Sequence, residues 1–191
     1  MSTTPFDIVA GPATVYIHTT AGTAAPAVNA SAGTITGDGW TALGLTEGGV
    51  KAKHTQSITQ LMADQRSGPV KAIRAAEGLE ISFALAELTL ENFGLALNNA
   101  TVSTSTGPAR KILGLYQGLD VAQFALLVIG PSPYMDANSQ YWVPVVVQTD
   151  SPEVDFVKDN KAVLQTTWTA IEDPNAASED LRFGTLIAQT S

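Results

Sequence analysis

Two runs decide the fold: VKAKHTQSITQL at residues 50–61 and LEISFALA at residues 79–86. In the second, Leu79, Ile81, Phe83 and Leu85 alternate with Glu80, Ser82, Ala84 and Ala86. A period of two is that of a β-strand with one face on a core. The first run alternates differently. Lys51, Lys53, Thr55, Ser57 and Thr59 are all polar, while Val50, Ala52, His54, Gln56, Ile58 and Gln60 form a mixed face. A strand polar on one side and half polar on the other does not suit the interior of an ordinary sandwich. It predicts a strand whose faces meet water and another subunit. MADQRSGP at residues 62–69 reads as the connecting loop, and residues 70–74 resume an extended pattern.

Working outward, the chain reads as mainly β with one flanking helix. Residues 14–18, TVYIH, are dense in β-branched and aromatic side chains and predict a first strand. Residues 19–39 carry no charge until Asp38 and consist mostly of small and polar residues, which predicts an exposed, flexible loop. A short strand is expected at 40–46 and a turn at Glu47-Gly48-Gly49. After residue 86 the period changes. Leu90, Phe93 and Leu97 recur at helical spacing and are expected to pack the helix on the outside of the sheet. Thr89 suits its N-cap, and Asn98-Asn99 a left-handed stop. Residues 101–108 read as a second Ser/Thr loop. Further strands are predicted at 111–116, 122–129, 141–149, 163–171 and 182–188, with a turn at 130–133. Pro144 lacks a ladder donor, so its strand must be an edge or carry a bulge there. There is no internal repeat and no boundary, so residues 1–191 read as a single domain.

Composition narrows the function. The 191 residues are 45% hydrophobic and only 15% charged, which excludes wholesale disorder. The 10 basic and 18 acidic residues leave a net charge of −8, the wrong sign for gripping phosphates. Charge is uneven: five of the ten basic residues lie between Lys51 and Arg74, and residues 136–191 hold 9 acidic against 3 basic. A basic hairpin beside an acidic C-terminal third suits complementary patches on neighbouring subunits. With no cysteine, disulfides, thiol catalysis and cysteine zinc sites are excluded. The first seven residues do not read as a secretory signal, and no apolar run approaches membrane-spanning length.

Nothing in the chain points to catalysis. His18 and His54 fall in different strands without metal-ligand spacing. The Gly-rich stretch 44–49 lacks the Lys-Ser/Thr of a phosphate loop. Glu172-Asp173 and Glu179-Asp180 read as solvated loop charges, and the sequons at Asn29 and Asn99 mean little without secretion. No catalytic, cofactor or metal site is expected. What remains is a β-domain with long, two-sided polar strands, the profile of an assembly subunit.

The stretch 44–98 resembles the major tail tube proteins of long-tailed bacteriophages. The shared order is Thr46-Glu47-Gly48-Gly49-Val50, Ile58-Thr59-Gln60, Asp64-Gln65-Arg66 with Pro69-Val70, the strand at 80–85, then Glu87 and Thr89-Leu90-Glu91-Asn92-Phe93. The resemblance implies a β-sandwich or barrel-like domain with one flanking helix. It implies homohexameric rings whose strands join in an inner barrel of about two dozen, wide enough for a channel. The rings would stack around a tape-measure protein, between tail tip and tail terminator proteins. Double-stranded DNA would pass transiently without specific binding, with no membrane involved. Such a protein is made in the host cytoplasm and ends in the virion. On this reading Thr55, Ser57, Thr59, Glu80 and Ser82 line the lumen. Asp64, Gln65 and Arg66 lie in a loop contacting other rings or subunits. Lys51 and Lys53 either add a basic ring, lie at the rim, or pair across strands with groups such as Glu80. Two alternatives stand beside it: a type VI secretion-like tube protein, and a carbohydrate-binding β-sandwich module using Tyr134, Tyr141 and Trp142.

Overall fold

A computed structural model describes residues 11–28, 35, 38–98, 101–134, 137–154 and 161–190. The Asn29 and Asn99 sequons lie outside them. The described chain is mainly β, with antiparallel pairing throughout and one α-helix.

Its strands are β1 (Thr14–His18), β2 (Thr41–Ala42), β3 (Thr46–Leu61), β4 (Lys71–Leu85), β5 (Val102–Thr106), β6 (Ala109–Leu113), β7 (Phe124–Pro131), β8 (Asn138–Gln148), β9 (Leu164–Ala170) and β10 (Thr185–Ala188). One eight-stranded sheet runs β2-β1-β7-β8-β9-β4-β3, with β10 pairing onto β8. The sheet curls around its core instead of stacking on a second large sheet. Leu79, Ile81, Phe83 and Leu85 of β4 meet Val15 and Ile17 of β1 and Phe124, Leu126 and Val128 of β7 in one buried cluster. Trp168 of β9 closes it, edge-on to Phe124 at 5.6 Å. Burying each such side chain contributes roughly 1.5–3 kcal/mol.

Pro144 sits where the ladder can spare a donor. Phe124 pairs with Val146 but Leu126 pairs with Val143, so β8 bulges over residues 144–145. On its other edge β8 pairs with β10 only as far as Trp142 and with β9 only from Val146. Pro144 thus falls in a gap on both sides.

Helix α1 (Leu90–Ala96) starts as the cap predicts: Asn92 N–H donates to the Thr89 side chain. Asn98 takes a φ of 53° and ends it. The Asn98 amide also donates to the Gln148 carbonyl and accepts from its N–H, tying the helix end to β8.

Four expectations are revised. Glu47-Gly48-Gly49 is not a turn but a bulge inside β3, where Gly48 and Gly49 take φ of 71° and 82°. The 101–108 stretch is not a loop: residues 102–106 form β5, paired with β6 in a hairpin beside α1. The described part of 19–39 is not a free excursion. Its carbonyls at Thr23, Ala24 and Pro26 accept from Trp142, Trp40 and Gln140. It covers the outer face of β1 and β7, where Tyr16, Leu127 and Ile129 form a second buried cluster. Leu90 is exposed, while Phe93 and Leu95 pack on the core and Ala96 is buried. A seven-residue helix turns too little surface inward to bury both of its ends.

Candidate functional site

The β3–β4 hairpin carries the residues that the sequence singled out. β9 pairs with β4 only along Glu80–Leu85, so residues 71–79 of β4 run on with β3 alone. Nine residues at strand rise make an arm about 30 Å long. Nearly every residue of β3 and the whole of 71–77 in β4 are exposed. The outer edge of β3 is unpaired over 16 residues among the described ones. An edge that long is an invitation to pair with another chain.

Register sorts the faces. Lys51 lies opposite Ser82, Lys53 opposite Glu80, Thr55 opposite Gly78 and Ser57 opposite Ala76. Cross-strand partners share a face, so Thr55, Ser57, Glu80 and Ser82 come together, with Thr59 following in alternation on β3. Gly78 matters because a side chain there would meet the Thr55 hydroxyl at 3.0 Å. The register shift between Ser57 and Ile58 leaves Ala75 as an extra residue in β4 and adds twist to the arm. Lys53 Nζ lies 3.1 Å from Glu80 Oε2. The third option for Lys53, pairing across strands, is the one realised. An exposed pair of this kind contributes only about 0–1 kcal/mol; its larger effect is to neutralise two charges on this face.

The polar face is wider than the sequence reading had it. Thr169, Thr167 and Gln165 of β9 lie opposite Glu80, Ser82 and Ala84. Thr149 extends it, its hydroxyl 2.8 Å from that of Thr169. The signal was present: Leu164, Thr166, Trp168 and Ala170 are buried, and the residues between them face out. The result is a hydroxyl-rich surface across three strands with apolar packing behind it.

The loop at the arm's tip holds Asp64, Gln65 and Arg66, all exposed. Arg66 N–H donates to the Ala63 carbonyl, and Val70 N–H to the Leu61 carbonyl, which closes the loop. Tip apolar groups are exposed as well, among them Met62 at 62% and Val70 at 54%. The proposed carbohydrate cluster does not form one platform. Tyr141 packs on the main core and Trp142 on the second cluster, because neighbouring strand residues face opposite ways. No group of His, Asp or Glu suited to a metal ion occurs among the described residues.

Comparison with curated proteins finds no match. A protein-family model described as phage tail tube protein matches residues 6–181. The match spans the arm, the helix and every strand of the curled sheet except β10. The chain therefore belongs to the phage tail tube protein family and is a structural protein of the virion tail.

Proposed function

We propose that the chain assembles into homohexameric rings that stack into a tube delivering double-stranded DNA. The observation that carries this reading is the arm: a long hairpin with an open edge whose polar face continues onto β9. Six such arms supply about a dozen strands, and with β9 and β8 continuing the sheet in each subunit the closed barrel reaches about two dozen, large enough to hold water. Thr55, Ser57, Thr59, Glu80 and Ser82 line that lumen, with Thr167 and Thr169 beside them. Ring closure is head-to-tail, each subunit offering a different patch to each neighbour. The wall is rich in hydroxyls, and the Lys53–Glu80 pair neutralises one of its two lysine positions, leaving Lys51, opposite Ser82, unpaired among the described residues. Phosphates then meet one ring of lysines per layer instead of a continuous string of fixed counterions, and DNA slides rather than sticks. The tube encloses a tape-measure protein during assembly and ends at tip and terminator proteins. The Asp64-Gln65-Arg66 loop contacts other subunits. Negative-stain electron microscopy of the concentrated protein tests the reading. Six-fold rings and hollow tubes are expected. A compact monomer that stays monomeric even when seeded with tail tips would refute it.

A further inference from the structure

Arm tip and core end lie at opposite poles of the subunit. Register fixes this. Leu85 of β4 lies opposite Leu164, Gln148 opposite Trp168, and Phe124 opposite Val146. The C-terminal ends of β4 and β8 and the start of β7 therefore share one pole. From there β4 runs back 14 residues to Lys71, roughly 45 Å at strand rise. Residues 114–122 lead from β6 into Phe124 and so lie at the core pole.

That segment is unlike the rest of the surface. It has no regular structure, yet Leu115 is 73% exposed, Tyr116 84% and Leu119 97%. Single exposed apolar residues need no explanation, but a cluster in one short extended stretch marks a contact. The tip offers a matching apolar set in Ile58, Met62, Val70 and Ile73. Charge is complementary too. Around the core pole, Glu87, Asp120, Asp150 and Glu153 make no ion pair among the described residues. At the tip the same holds for Arg66 and Lys71, against Asp64 alone. Within one chain the two patches cannot meet.

We infer that residues 115–121 are the seat for the arm tip of a second copy of this chain in the next ring. The inference rests on the stacked-ring reading and adds the receiving surface to it. A tip-to-seat contact joins unlike patches, and because these lie at opposite poles of the subunit it repeats along the axis instead of closing, which is how a filament grows. Apolar groups supply the affinity, and the opposite charges set register and approach.

A cysteine pair tests this directly, because the chain has no cysteine of its own. Met62→Cys and Leu119→Cys are both exposed positions and leave the subunit fold intact. Oxidised tubes of the double variant are expected to give a ladder of covalent multimers that neither single variant gives. In parallel, Leu119→Ser should raise the critical concentration for assembly by about tenfold or more, with an unchanged melting curve for the subunit. Wild-type tubes alongside a double variant that assembles but does not cross-link overturn the contact alone. An unchanged critical concentration for Leu119→Ser does the same. If the wild-type chain forms no tubes even when seeded with tail tips, the ring reading falls and this contact with it.

Discussion

Replacing Gly184 by alanine should destabilise the subunit far more than the same change at Gly48. Both glycines have positive φ, 101° and 71°. At Gly48 an added Cβ meets nothing within 4 Å, so only backbone strain is felt, about 1–2 kcal/mol. At Gly184 the Cβ would sit 1.9 Å from the Trp142 carbonyl oxygen and 2.9 Å from Pro144 Cδ. Neither group can give way easily. The Trp142 carbonyl is in the backbone of β8, and Pro144 is fixed in the bulge. The next residue, Thr185, is paired with Trp142, so pushing Gly184 out loosens the β10–β8 ladder. Strain of about 1–3 kcal/mol adds to one or two weakened hydrogen bonds of about 1 kcal/mol each. Gly184→Ala should therefore cost about 2–5 kcal/mol, about 2 kcal/mol more than Gly48→Ala at the middle of the two ranges. For a domain of this size 1 kcal/mol moves the melting temperature by about 2–4 °C. Urea unfolding and thermal melts of the two variants are the assay. Equal losses within about 0.5 kcal/mol would show that contact at Gly184 does not matter, and would refute the placement of β10 against the β8 bulge.

Two further outcomes are expected. Asn92 is buried and its side-chain amide donates to the Leu43 and Glu87 carbonyls, so Asn92→Ala leaves two acceptors without a donor and should cost about 1–3 kcal/mol by urea unfolding. The hydrogen bond from Lys111 and then its own backbone N–H hold the Glu91 carboxyl below the ordinary carboxylate range, against an opposing desolvation that outweighs the added pull of the Lys111 charge. A lowered folded-state pKa means its stabilising contribution is present above the ordinary carboxylate value and lost as pH falls through the folded one. A carboxyl NMR titration should place the Glu91 midpoint below that of Glu91 in the Lys111→Ala variant; coincident midpoints would show that the contact does not exist in solution.

What could be read from the chain was local. Thr89 and Asn98 cap the helix because their chemistry acts within a few residues. Pro144 marks a bulge because its missing donor must be accommodated wherever it falls. The alternation at 79–85 shows plainly because one face is wholly apolar. What could not be read depends on partners far away in sequence. Residues 23–26 look like a plain loop, since the Trp142 and Gln140 donors that hold them are more than a hundred residues distant. Gly48-Gly49 signals positive φ, but a bulge and a turn ask for the same residue. Residues 102–106 show no apolar alternation because their hairpin rests on α1 and is exposed on its outer side. Of the polar face, the half on β3 and β4 was legible. The half on β9 depended on knowing which strands were neighbours.

The arm itself shows why this sequence departs from ordinary strand patterning. An isolated two-stranded hairpin is marginal in water. Over residues 71–77 of β4 the arm is exposed, and both of its edges are open among the described residues. Its cross-strand and i,i+3 ion pairs, Lys53–Glu80 and Arg74–Glu77, contribute at most about 1 kcal/mol each. A strand selected for the stability of one subunit would be shorter or would bury one face. This one keeps polar groups on the side proposed to face the lumen, and on the other side a mixture of Ile58, His54 and Gln56. That mixture suits a surface that meets water before assembly and protein after it. In the proposed tube both open edges are paired and the apolar tip is covered. The arm's residues are then explained by the assembly, and the alternation at 79–85 by the subunit core. The change from one rule to the other falls near Gly78, where β9 ends its pairing and the arm begins.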